Sequence, residues 1–93
     1  MNDSTCIVPD TSVKASVHDD GVVLFHVARG RIFSSNRIGA AVWRGIERQL
    51  PLETIVRDVA TQYQVALETV RADAARFVAE LERQQLVTPS VRS

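Results

Sequence analysis

At Ser34-Ser35-Asn36 the hydrophobic period of this chain changes from two to between three and four. That switch confines a sheet to the first third of the chain and helices to the rest. Upstream, Val13-Lys14-Ala15-Ser16-Val17-His18 alternates apolar and polar residues, the pattern of a half-buried strand. Asp19-Asp20-Gly21 follows as a hairpin signal, with Gly21 as the residue that tolerates positive φ. Val22 to Val27 is β-branched and aromatic and reads as a central strand. Ala28-Arg29-Gly30 turns the chain again, and Arg31-Ile32-Phe33-Ser34 reads as a short third strand. Three strands joined by two tight turns form a meander whose first and third members are edges.

Downstream, Ser34, Ser35 and Asn36 offer side-chain oxygens to the open N–H groups of a first helical turn. Ile38, Val42, Ile46 and Leu50 recur every four residues with Trp43 beside them, the core stripe of a first helix. Gly39 and Gly45 each weaken it by about 1 kcal/mol relative to Ala, so packing must hold it. At Gly39 the missing side chain admits a neighbouring backbone. Pro51 ends this helix and opens the next. Leu52, Ile55, Val56, Val59, Ala60 and Tyr63 form a second stripe. After Gln64-Val65-Ala66, a third runs through Leu67, Val70, Ala74, Phe77, Val78 and Leu81. Leu86-Val87 returns as a short strand or cap. The expected architecture is α+β: a three-stranded antiparallel sheet followed by three helices, over residues 13–88. Residues 1–12 read as a flexible tail and 89–93 as a frayed C-terminus.

The residues argue against catalysis. A chain of 93 residues builds one thin core and little room for an enclosed active site. There is no GxSxG elbow, the four glycines are too dispersed for a phosphate loop, and no carboxylates pair at catalytic spacing. His18 and His26 have no partners at metal-ligand spacing, so neither a metal nor a cofactor is expected. The single cysteine, Cys6, excludes an intrachain disulfide and fits a reducing, cytoplasmic setting. No secretory signal or membrane span is expected.

Two helices joined by a short turn, beside strands, also outline a winged helix-turn-helix. A DNA reader needs a basic surplus, and here eleven basic residues meet eleven acidic ones. The candidate recognition helix carries Arg71, Arg76 and Arg83 against Glu68, Asp73, Glu80 and Glu82. A winged-helix outline without a phosphate-binding surface is expected. The remaining feature is the edge at Arg31 to Ser34, which offers main-chain groups to an extended peptide. Alternation puts Ile32 and Phe33 on opposite faces, so one of them lies outside the main core. A second copy pairing through that edge, or swapping an element, is the competing use of it.

The stretch Asp20-Gly21-Val22-Val23-Leu24, then Gly30-Arg31-Ile32-Phe33, Asn36, Gly39-Ala40-Ala41-Val42-Trp43, and finally Val70, Asp73, Phe77-Val78, Leu81 and Leu86-Val87 resembles the PqqD-like family. These are small precursor-peptide recognition elements of ribosomal peptide maturation. The Gly-Ala-Ala-Val-Trp run is most similar to the leader-binding proteins of lasso-peptide clusters. The resemblance implies a non-catalytic carrier whose partners are a leader peptide and a separate leader peptidase or modifying enzyme. It implies that the leader adds as a strand to Arg31, Ile32, Phe33 and Ser34. It also implies that the leader packs on Val70, Asp73, Ala74 and Phe77 of the third helix, with Asp73 meeting a polar or basic leader group. Ala66 and Gly45 depart from the family pattern away from that surface.

Overall fold

The computed structural model describes residues 5–91. In chain order the elements are β1 (Thr5–Pro9), β2 (Val13–His18), β3 (Gly21–His26), β4 (Arg31–Asn36), α1 (Arg37–Glu47), α2 (Leu52–Tyr63), α3 (Leu67–Arg83) and β5 (Val87–Val91). A three-stranded antiparallel sheet has the order β2-β3-β4, and the three helices follow it as the period change requires. No helix among the described residues is long and apolar enough to cross a membrane.

The sheet buries one face. Val22, Leu24 and His26 point inward from β3, while Val23 and Phe25 face out. Val22 and Leu24 join Val42 and Trp43 of α1, Ile55 and Val59 of α2, and Val78 and Leu81 of α3 in one core. Each helix turns its predicted stripe to that core. At Gly45 a Cβ would lie 2.6 Å from Ile55 Cγ1, so the bare backbone lets α1 and α2 pack closely. Burial offsets its cost to helix propensity.

Asn36 caps α1: the Gly39 N–H donates to its Oδ1 at 3.0 Å. The helix ends at Glu47, one turn before Leu50 completes the stripe. All three helices end alike. Gln49, Gln64 and Gln85 adopt positive φ of 61°, 54° and 61°. The next N–H donates back to a carbonyl five residues earlier: Leu50 to Gly45, Val65 to Ala60, Leu86 to Leu81. This is the Schellman arrangement with glutamine where glycine is usual.

The chain ends depart from the sequence reading. The flexible tail expected over residues 1–12 contains β1, and the frayed C-terminus expected at 89–93 contains most of β5. The two strands pair antiparallel, with Cys6 opposite Ser90 and Ile7 opposite Pro89. Cys6 and Ile7 are buried, which gives a short apolar segment its reason to order. Residues 1–4 and 92–93 lie outside the described residues. Leu86 closes the end of α3 by donating its N–H to the Leu81 carbonyl, two residues past the cap at Gln84, and Val87 opens β5.

Gly21 differs too. The turn is Asp19-Asp20, and Gly21 is the first residue of β3 rather than a positive-φ turn residue. A Cβ there would sit 2.7 Å from the Ser35 carbonyl oxygen of β4, so the requirement is close backbone approach.

His26 and His18 point to opposite faces. His26 is 3% exposed. Its Nδ1 accepts from the Arg29 N–H at 3.2 Å, leaving the proton on Nε2, 3.6 Å from Asp10 Oδ1. His18 is exposed beside Ser16 Oγ at 2.8 Å.

Candidate functional site

The direction of the main-chain groups along β4 follows from the register. A two-residue turn makes His18 and Gly21 the hydrogen-bonded pair that closes the first hairpin. Bonded and non-bonded pairs alternate along an antiparallel ladder. Gly21, Val23 and Phe25 therefore turn their N–H and C=O groups to β2, and Val22, Leu24 and His26 turn theirs to β4. The partners of the latter on β4 are Ser35, Phe33 and Arg31. The main-chain groups of Ile32 and Ser34 thus point away from β3. Within the sheet β4 has one neighbour, so these groups stand at an open edge.

Beside that edge lies a groove of about 260 Å³ between β4, the start of α1, and α3. Phe33 and Phe77 form its waist, with ring centroids 5.9 Å apart and planes tilted by 43°. Ser35 and Gly39 extend it toward the α1 N-terminus, where Ile38 and Val42 supply an apolar wall. A Cβ on Gly39 would lie 2.7 Å from Ser35 Cβ and 3.3 Å from Phe77 Cε1. Gly39 therefore accommodates two side chains of the groove rather than the neighbouring backbone expected.

The α3 wall carries charge in compensated pairs. Arg76 pairs with Asp73. Arg83 donates to Glu80 through Nε at 3.0 Å. That hydrogen bond, joined by one from Gln84 Nε2 at 3.2 Å, holds the Glu80 carboxyl below the usual glutamate range. Arg31 Nη1 donates to Gln84 Oε1 at 3.2 Å, tying the start of β4 to the end of α3.

Of the residues singled out from sequence, Phe33, Asp73, Ala74 and Phe77 come together on the groove. Arg31 stands at its end through Gln84. Ile32 turns its side chain to the outer face, 66% exposed, and with Ser34 offers main-chain groups to the edge. Val70 does not line the groove: it is buried in the core one turn nearer the start of α3 than Asp73 and Ala74. Ser35, Ile38, Gly39, Arg76 and Glu80 were not anticipated. Arg76 and Glu80 were legible as the i+3 and i+7 neighbours of Asp73. Ser35 was hidden because the third strand continues two residues past Ser34.

A larger hollow of about 560 Å³ borders Cys6, Ile7, Ile46 and Glu47. It has no comparable edge, since β1 pairs with β5 on one side and bridges Pro51 through Cys6 on the other. Among the described residues no three His, Cys, Asp or Glu side chains group as metal ligands.

The three-stranded sheet followed by three helices has a counterpart among known proteins. Residues 21–87 match the model of coenzyme PQQ synthesis protein D (PqqD), and the chain belongs to that family. Among solved structures it is similar to TbiB1 in complex with the TbiA(beta) leader peptide, with a TM-score of 0.76 and 29% identity. The match covers 85% of this chain and 92% of TbiB1. No curated protein matches the chain.

Proposed function

We propose that this protein is a non-catalytic carrier that binds the leader of a ribosomally made precursor peptide. The leader adds as a further strand to β4, pairing with Ile32 and Ser34, and sends alternate side chains into the Phe33–Phe77 groove. The observation that carries this reading is the open β4 edge running alongside that groove. The leader complex of TbiB1 supports it. The carrier presents its cargo to a separate leader peptidase or modifying enzyme in lasso-peptide assembly. Holding leader and enzyme together raises their effective concentration into the millimolar range, by order of magnitude. Main-chain pairing supplies register and the apolar anchors supply most of the affinity, against the entropy cost of ordering the leader.

DNA binding through α3 is disfavoured by its own ion pairs. Arg71 binds Glu53, Arg76 binds Asp73 and Arg83 binds Glu80, so each guanidinium of the helix already meets a carboxylate. Titration against leader peptides encoded beside the gene, with a random DNA duplex as control, separates the readings. Saturable leader binding without DNA binding is expected. Salt-sensitive DNA binding with no leader binding overturns the proposal.

A further inference from the structure

Resting on that strand-addition reading, we propose that Arg31 determines specificity, selecting leaders with an aspartate or glutamate two residues from the apolar side chain that enters the groove.

The argument begins with register. On β4 the residues paired with the inward-facing Leu24 and His26 are Phe33 and Arg31. Inward positions on a strand repeat at about 7 Å, and a strand paired to this edge repeats at the same interval. A ligand side chain opposite Phe33 enters the aromatic groove. The inward ligand side chain two residues away then stands opposite Arg31.

Charge gives that position its preference. Around the groove Arg76 compensates Asp73, and Arg83 compensates Glu80. Arg31 is left with a neutral partner, the Gln84 amide oxygen at 3.2 Å. Among the described residues no carboxylate lies within ion-pair distance of it. Its guanidinium is the uncompensated charge at this end of the groove. A ligand carboxylate there accepts two parallel hydrogen bonds, a better partner than one amide oxygen. Asp73, by contrast, is already engaged, so the groove has no equivalent preference for a basic leader residue.

The test is selection of a displayed library of random twelve-residue peptides on wild-type protein and on Arg31→Glu. Lys14→Glu, on the outer face of β2, serves as the charge-reversal control. Wild type and Lys14→Glu are expected to enrich an acidic residue two positions from a large apolar one, and Arg31→Glu a basic residue there. Replacing the acid of a selected peptide by its amide is expected to weaken binding to wild type about three- to fivefold, the upper part of the range of an exposed ion pair. The same change leaves binding to Arg31→Gln unaltered. Peptides that share the apolar anchor but show no charge preference overturn the role of Arg31 and leave strand addition standing. Failure of wild type to enrich any peptide overturns both.

Discussion

The rings of Phe33 on β4 and Phe77 on α3 stand 5.9 Å apart, joining the open sheet edge to the last helix across the groove. The two residues differ in burial, and this decides which can be tested. Phe77 is 8% exposed and belongs to the core, so Phe77→Asp would bury a charge and unfold the domain. Phe33 is half-buried and packs at the core's margin. Phe33→Ala is expected to cost about 2 kcal/mol of stability, below the 3–5 kcal/mol typical of a fully buried phenylalanine. It is expected to weaken leader binding about tenfold or more, some 1.4 kcal/mol. Urea unfolding and a binding titration on the same sample check both.

Proline substitutions at adjacent positions on β4 separate edge from ladder. Ile32→Pro removes an N–H that points to the open edge, so it is expected to fold and to bind leader more weakly. Phe33→Pro removes an N–H bonded to β3 and is expected to lower stability by about 3 kcal/mol or more. Circular dichroism and titration of the two variants distinguish these outcomes. Equal destabilisation by both prolines would contradict the assigned direction of the edge.

Much of this was legible locally. The two periodicities place β2, β3 and the helices, because each is a property of a few neighbouring residues. The β1–β5 ribbon was not, since Cys6 and Ser90 pair from opposite ends of the chain. At the site, Asp73, Ala74 and Phe77 were named by the family resemblance, and they line one side of the groove. Val70 was named with them but lies one turn nearer the start of α3 and away from the groove, and only the packing of α3 against its neighbours decides where groove gives way to interior. The direction of the β4 main-chain groups depends on whether Gly21 belongs to the turn or to the strand. Counting Gly21 in the turn loses the parity.

The helix ends offer a stability test remote from the groove. Gln85 holds positive φ at the end of α3, a conformation costing an L-residue about 1–2 kcal/mol. Gln85→Gly removes that strain and adds unfolded-state entropy. The net expectation is a gain of roughly 0.5 kcal/mol, with leader affinity unchanged. Thermal unfolding of the variant measures it.

Acid stability has a specific source in the Glu53–Arg71 pair, which ties α2 to α3. The hydrogen bond from Arg71 lowers the Glu53 carboxyl below the usual glutamate range. A carboxyl with a depressed folded value stabilises above its unfolded value and loses that contribution as pH falls through the folded one. Glu53→Gln is therefore expected to be less stable than wild type near neutrality, and the difference to vanish as pH falls below the glutamate range. Urea midpoints between about pH 7 and pH 3 follow this, spanning ordinary carboxylate titration.

Amide hydrogen exchange at Ile32, Phe33 and Ser34, with and without a bound leader peptide, tests strand addition most directly. In the free protein the Phe33 amide is bonded to β3 and those of Ile32 and Ser34 face the open edge. Leader binding is predicted to slow exchange at Ile32 and Ser34 while leaving the protection of Phe33 largely as it was. Saturating leader that leaves Ile32 and Ser34 exchanging as in the free protein would contradict pairing at β4.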